Sequence, residues 1–175
     1  MTEQSIVSQD MTLKRLFQDF YRVPDYQREY VWGESDAKGE GGDQVNQFLA
    51  DIHAEFEAAT QHFAPEYFIG TIVVCAGDDQ VFELIDGQQR TTTSYLTLCA
   101  VRDALQEIGG ALPDDLASQI AASSTDWQGV TTHRFRLDVQ YDDAGGVLAE
   151  YANGNAAQTV RDGSRSIRNL GGAYD

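Results

Sequence analysis

The feature that most constrains this chain is a strand, a glycine turn and a helix start that follow one another directly. Residues 81–85 form a short, mostly apolar segment, as expected of a buried strand, and residues 86–90 are Asp-Gly-Gln-Gln-Arg. Apolar periodicity then predicts a helix over residues 91–108. A helix that begins directly after a strand leaves its first N–H groups unpaired and its positive dipole end exposed. This junction therefore predicts an anion site.

Three side chains at the junction suit a ligand that carries phosphate. Arg90 offers a planar, permanently charged guanidinium, and Gly87 lets the backbone approach a ligand closely. Asp86, at the carboxyl end of the strand, is placed to hold a hydrated Mg²⁺ ion or to accept a proton. A purely structural explanation stays open, in which Asp86 caps the helix and Arg90 pairs with a nearby carboxylate.

A second stretch concentrates aromatic and cationic side chains. Aromatic residues recur at Tyr26, Tyr30 and Trp32, with Gln27 and Arg28 between them. Such interleaving can stack a base, line an apolar pocket or bind a phosphate. The alternative is that the aromatic residues belong to the core of a β-ribbon and that Arg28 pairs with a neighbouring glutamate.

Charge and hydropathy limit the possible partners. The 28 acidic and 12 basic residues give a formal net charge of −16, which opposes nonspecific binding to the DNA backbone, so any DNA contact must come from a local patch. No apolar run approaches the ~20 residues that span a bilayer, and the N-terminus does not resemble a signal peptide. We therefore expect a cytoplasmic protein without a membrane partner.

Cysteines and histidines give no sign of a zinc site. Cys75 and Cys99 have no paired spacing, and both are expected to be buried thiols. His53, His62 and His133 are scattered along the chain, which argues against zinc binding.

The remaining periodicity predicts an α+β fold. The glycine-rich residues 33–42 are expected to form a surface loop or lid, and the abrupt end of the last predicted helix indicates a chain cut from a longer one. Strands are predicted at residues 67–75, as a central strand in a hairpin with residues 81–85, and at residues 132–139. Helices are predicted at residues 12–20, 43–61, 113–122, 142–151 and 164–174.

These blocks together resemble the N-terminal domain family of GmrSD-type restriction endonucleases, which is related to ParB and sulfiredoxin. The resemblance rests on residues 23–32, 68–73 and 86–92, and residues 133–137 and 166–174 extend it over nearly the whole chain. Thr91 stands where members of that family usually have leucine. The implied fold is a small mixed sheet with flanking helices, with a ParB/sulfiredoxin-like nucleotide-binding core in residues 1–110 and a mainly helical extension in residues 111–175.

The resemblance implies a defence protein that senses modified DNA, such as phosphorothioate DNA in some relatives, and that hydrolyses GTP or ATP with Mg²⁺. In this hypothesis one glutamine orients the attacking water, and the aromatic stretch supplies a second cation to the same cleft. The catalytic residues would be Asp86, Gln88, Gln89 and Arg90, with Asp86 also the metal ligand. The nucleotide would contact Gly87, Arg90, Thr91, Thr92 and Arg28, and DNA would contact Tyr26, Gln27, Arg28, Tyr30 and Trp32.

The relatives also define what this chain is not expected to do alone. Full-length relatives often carry an HNH-type nuclease domain, whose histidine-rich signature is missing from these 175 residues. We therefore expect DNA cleavage to reside in a separate nuclease domain or subunit. Two alternatives stay open: a non-catalytic reader of modified DNA, and a fragment that only docks a partner.

Overall fold

The computed structural model describes residues 6–32, 43–59, 67–141, 144–159 and 163–175. Short 3₁₀ turns occupy Asp78–Gln80 and Ala156–Gln158. The helices are α1 (Leu13–Leu16), α2 (Asp43–Ala59), α3 (Gln88–Glu107), α4 (Leu116–Ile120), α5 (Ala144–Ala152) and α6 (Arg165–Tyr174). The strands are β1 (Phe20–Val23), β2 (Val73–Ala76), β3 (Val81–Asp86), β4 (Ala121–Thr125), β5 (Thr131–Phe135) and β6 (Leu137–Val139).

A four-stranded mixed sheet forms the centre of the fold, with the strand order β2-β3-β1-β6. Strand β1 pairs in parallel with both β3 and β6, whereas β2 and β3 form an antiparallel hairpin. Strands β4 and β5 form a separate two-stranded hairpin. The predicted α+β class, with a small mixed sheet and flanking helices, is confirmed.

The core lies between one face of this sheet and the helices. Alternate strand residues point to that face, because successive side chains on a strand project to opposite sides. Tyr21, Val23 and Leu84 are buried there and belong to the same apolar cluster as Leu96 of α3 and Leu170 of α6. The cluster joins both halves of the chain, since α3 also packs against α5 and α6.

The first half of α3 is buried although it is rich in threonine. The hydroxyls of Thr91, Thr93 and Thr97 donate to the main-chain oxygens four residues earlier, at distances of 3.1, 2.9 and 2.8 Å. A buried hydroxyl carries little penalty when it is hydrogen-bonded in this way. The threonines can therefore be part of the interior.

The prediction of a central strand over residues 67–75 is wrong. Only Val73–Ala76 is a strand, it lies at the edge of the sheet, and all four of its residues are exposed. Gly70 has a φ of 120°, a conformation open mainly to glycine, which interrupts the apolar run. The hairpin between this strand and β3 is confirmed.

Residues 111–175 contain more strand than predicted. The predicted helix over residues 113–122 is limited to α4, and β4 follows it immediately. The strand predicted over residues 132–139 is two strands, of which β5 pairs with β4 and β6 pairs with β1. The predicted last helix is present as α6. The predicted boundary between a core in residues 1–110 and an extension in residues 111–175 stays a prediction. Strands and buried residues from both sides of this boundary belong to the same four-stranded sheet and the same apolar cluster.

Other helices agree with their predictions apart from their ends. Helix α1 is one turn rather than two, and α3 begins at Gln88, three residues earlier than predicted. The predicted lid at residues 33–42 lies outside the described residues. None of the helices in the described part of the chain is long and apolar enough to cross a bilayer.

Candidate functional site

Two loops that the sequence singled out emerge at the same edge of the main sheet. We call residues 24–32, after β1, the aromatic loop, and residues 86–92, where β3 meets α3, the junction. Because β1 and β3 are parallel neighbours, their carboxyl ends lie side by side. The side-chain amide of Gln27 donates to the main-chain oxygen of Ile85 at 3.3 Å. The fold therefore brings the two sequence motifs into contact.

The turn at the junction requires glycine. Gly87 has a φ of 86°, and a Cβ atom there would lie 2.7 Å from Ile72 Cγ2 and 3.0 Å from the main-chain oxygen of Thr71. The N-cap residue of α3 is Gly87, which has no side chain to cap the helix, and the first internal hydrogen bond runs from Thr91 N to Gly87 O. The N–H groups of residues 88–90 thus have no acceptor within the helix, which is the arrangement that favours an anion.

Arg90 lies beside this helix start and against residues 70 and 71. Its Nη2 donates to the main-chain oxygen of Thr71 at 2.9 Å. A Cβ atom on Gly70 would lie only 2.9 Å from Arg90 Cζ, so glycine makes room for the guanidinium. The ion pairs found among the described residues do not include Arg90. The positive charge of Arg90 is therefore not compensated by an internal acid in this part of the chain.

Asp86 ends β3 with an exposed side chain. The described residues contain no group of three or more His, Cys, Asp and Glu side chains that could hold a metal ion. A site that offers one carboxylate suits Mg²⁺ bound largely through phosphate oxygens and water, and it does not suit a metal held by protein ligands alone.

The two adjacent glutamines have different surroundings. Gln89 is buried, its Oε1 accepts from Val31 N at 2.9 Å, and its Nε2 donates to the main-chain oxygen of Glu29 at 3.0 Å. Both ends of this amide are thus occupied in fixing the aromatic loop to α3. Gln88 is also buried, yet its amide has no hydrogen bond to the other described residues.

The aromatic loop divides into buried and exposed side chains. Tyr30 is 1% exposed, and its hydroxyl lies 2.7 Å from Thr93 Oγ1. Burial raises the pKa of Tyr30, and the hydrogen bond between the Tyr30 and Thr93 hydroxyls opposes this in part. Trp32 packs against Phe48 of α2, with 5.8 Å between ring centroids.

Tyr26 and Arg28 are the members of the predicted DNA-contact set whose side chains face solvent. Tyr26 is 66% exposed, and Arg28 is exposed as well. The pKa of Tyr26 is raised, first by desolvation and then by the charge of Glu83 on β3. Tyr26 and Arg28 are therefore both accessible from solvent.

The chain matches a family model over residues 11–166, described as the GmrSD restriction endonuclease, N-terminal domain. The match spans most of the chain, including both loops. The protein belongs to the GmrSD N-terminal domain family. Among curated proteins, no match was found. Family membership makes this chain a restriction-type defence module, which confirms the resemblance seen in the sequence motifs.

Two pairs of residues in this GmrSD-type domain support the site, and the sequence patterns did not predict either pair as part of it. Gly70 and Thr71 contact Arg90, and a glycine inside a run of β-branched residues was the available signal. On α6, Ser166 Oγ donates to Glu29 Oε2 at 2.7 Å and Asn169 Nδ2 donates to the main-chain oxygen of Tyr30 at 2.8 Å. These α6 contacts span more than 130 residues of sequence, so local patterns give no sign of them.

Proposed function

We propose that the junction binds the phosphates of GTP or ATP and hydrolyses the nucleotide. The observation that carries this proposal is the uncapped start of α3 beside Arg90, a guanidinium without an acidic partner among the described residues. Main-chain N–H groups at a helix start and an arginine fork are both complementary to phosphate oxygens. Hydrolysis then requires groups that position water and neutralise developing charge.

Each residue at the junction has a proposed role. The N–H groups of residues 88–90 and the guanidinium of Arg90 bind phosphate oxygens, and Thr91 and Thr92, whose side chains are buried, contribute by forming this first turn. Asp86 orients the attacking water through its exposed carboxylate and is the residue that would hold Mg²⁺. That ion, when bound, neutralises charge on the phosphates.

Of the two glutamines, Gln88 is the better candidate for orienting water, because the amide of Gln89 is already hydrogen-bonded at both ends. Arg28 supplies a second cation from the aromatic loop. The loop is close enough for this role, since Gln27 already contacts the end of β3.

The aromatic loop is the proposed DNA contact. Tyr26 and Arg28 would touch DNA directly, with phosphorothioate DNA as one candidate modification. Gln27, Tyr30 and Trp32 would hold the loop in shape through their contacts with the rest of the fold. Because Gln89 joins the loop to the first turn of α3, a displacement of the loop by DNA would also move the phosphate-binding turn. A nuclease domain or subunit would then perform the cleavage in the cytoplasm.

Turnover measurements test the hydrolase proposal. Phosphate release from GTP and from ATP should be measured with Mg²⁺ for the wild type, Asp86→Ala, Gln88→Ala and Arg90→Ala. The matched control is Arg168→Ala, since Arg168 is exposed on α6. We expect each junction variant to lose at least about tenfold in kcat/KM and the control to keep its rate. Equal rates in all five proteins would rule out hydrolysis at the junction.

A second candidate function is a reader of modified DNA without catalysis. It is favoured by the exposure of Tyr26 and Arg28 together with the contact that Arg90 already makes to Thr71. Modified and unmodified duplexes should be titrated across a salt series without nucleotide. A reader binds the modified duplex more tightly and loses this preference in Tyr26→Ala. Absence of any preference would exclude reading by this loop.

A further inference from the structure

A cavity of about 250 Å³ is lined by residues of β1, β3, β5 and β6 and by two residues of α5. Phe20 and Arg22 alternate along β1 with the buried Tyr21 and Val23, so their side chains project from the opposite face of the sheet. None of the lining residues belongs to the junction or to the aromatic loop. The lining residues are Phe20, Tyr21, Arg22, Val81, Arg134, Phe135, Leu137, Asp138, Gly145 and Ala149.

The cavity contains a buried donor without an acceptor. Arg22 Nε is buried and makes no hydrogen bond. Strand register places Arg22 between Glu83 of β3 and Asp138 of β6, yet the Asp138 Oδ2 atom is 3.8 Å from Nε, beyond hydrogen-bond reach. A desolvated N–H of a charged group is costly when it is left unpaired, so a ligand that supplies an acceptor here is favoured.

The charge of the lining is also unusual for this chain. The charged residues that line the cavity are Arg22, Arg134 and Asp138, two cations and one carboxylate, within a protein whose formal net charge is −16. Glu83, the register neighbour of Arg22 on β3, is not among the lining residues. Arg134 is fixed in place, since its Nη2 donates to the main-chain oxygen of Asp79 at 2.9 Å and its Cζ lies 4.0 Å from the centre of the Phe20 ring. Burial raises the pKa of Asp138, and the charge of Arg22 opposes this shift.

The rest of the lining is apolar. Phe20, Phe135, Leu137 and Ala149 supply aromatic and aliphatic walls, and the volume is larger than a bare phosphate or carboxylate ion requires. The lining thus combines one buried donor without a hydrogen bond, two arginines against one carboxylate, and apolar walls in a cavity that is open to solvent on one side. Small-molecule sites in proteins have this combination of an apolar wall and few polar groups.

We propose that this cavity binds a small ligand that carries one oxyanion, a carboxylate or a phosphate monoester, on a flat apolar body. The oxyanion accepts from Arg22 Nε, and the body packs against Phe20 and Phe135. The site is separate from the proposed nucleotide site, and it does not depend on hydrolysis at the junction.

The test uses phenyl phosphate and benzoate as probes. Benzamide is the control without a negative charge, and inorganic phosphate is the control without an apolar body. Amide resonances of the ¹⁵N-labelled protein should be followed during each titration. We expect phenyl phosphate or benzoate to shift the amides of Arg22, Asp138 and Ala149, with no comparable shift at Gly87. Benzamide and inorganic phosphate should bind at least about tenfold more weakly than the better of the two probes.

Variants separate this cavity from other cationic positions. Arg22→Met removes the guanidinium donors and keeps an unbranched apolar stem as far as the position of Nε. Ala149→Leu fills the cavity from a helix position, and Arg168→Met is the matched control. We expect the first two to weaken binding at least about tenfold and the control to leave it unchanged. If Arg22→Met does not fold, Ala149→Leu decides the question.

Several results would overturn the proposal. The first is that the folded wild type shows no shift of its amide resonances at about 10 mM probe. The second is that Arg22→Met or Ala149→Leu binds the probes as tightly as the wild type does. The third is that benzamide binds as tightly as the anionic probes. Shifts confined to the junction amides would reject the cavity and leave the nucleotide proposal standing. Conversely, loss of turnover in the junction variants has no bearing on binding here.

Discussion

Replacing Gln89 with alanine should detach the aromatic loop from α3. The side-chain amide of Gln89 bridges them with two hydrogen bonds. Its Oε1 accepts from Val31 N at 2.9 Å, and its Nε2 donates to the main-chain oxygen of Glu29 at 3.0 Å. Alanine offers neither group. The neighbouring Gln88, also buried but without a described partner for its amide, provides a matched comparison at the same helix end.

The expected cost follows from the two main-chain groups that lose their partner. An unsatisfied buried donor or acceptor costs about 1–3 kcal/mol, and partial access of water to this loop reduces the sum. We expect Gln89→Ala to lower the free energy of unfolding by about 2–4 kcal/mol. For a chain of this size each kcal/mol lowers Tm by about 2–4 °C, so the melting temperature should fall by roughly 4–16 °C. Gln88→Ala should cost less than about 1 kcal/mol.

Urea unfolding followed by circular dichroism measures both variants. Tryptophan fluorescence adds a local probe, because Trp32 lies in the aromatic loop and packs on Phe48, whereas Trp127 is 90% exposed and changes little. In Gln89→Ala the Trp32 signal should change before the global transition. Equal stability of the two glutamine variants would refute the bridging role and would return Gln89 to the catalytic candidates.

Three further predictions concern the same region and the two cysteines. Tyr30→Phe removes the buried hydroxyl bond to α3 and should cost about 1 kcal/mol in urea unfolding, without loss of fold. Gly70→Ala forces a Cβ atom to within 2.9 Å of Arg90 Cζ at a φ of 120°, so it should destabilise the fold by about 1–3 kcal/mol and also weaken nucleotide binding measured by calorimetry. In the native protein a thiol reagent should modify Cys75, which is exposed, but not Cys99, whose pKa is raised to about 12 by burial; rapid modification of both would contradict the packing of α3.

The cysteines also show how local patterns misjudge exposure. The sequence predicted two buried thiols, and this is correct for Cys99 on α3 but wrong for Cys75. The error follows from the prediction of a central strand: Cys75 lies in β2, an edge strand that is open to solvent. A short apolar run has the same local pattern at the centre of a sheet and at its edge, and only the neighbouring strands distinguish the two.

The sequence alone determined the local elements of the site. A glycine between an apolar strand and a long helix specifies the turn at Gly87, because only glycine adopts that φ without strain, and the order of the motifs identified the family. These features depend on neighbours along the chain, so they can be recognised without a structure.

Tertiary structure decided which side chains are free to contact a ligand and which are occupied by contacts within the fold. Gln88 and Gln89 are identical and adjacent, yet only Gln89 meets the main chain of residues 29 and 31, and Tyr30 is buried where Tyr26 is exposed. Arg22, which the sequence did not single out, has a buried donor because β3 and β6 flank β1. Contacts between residues far apart in the chain set these differences, since burial and hydrogen bonding depend on what the fold places opposite each side chain.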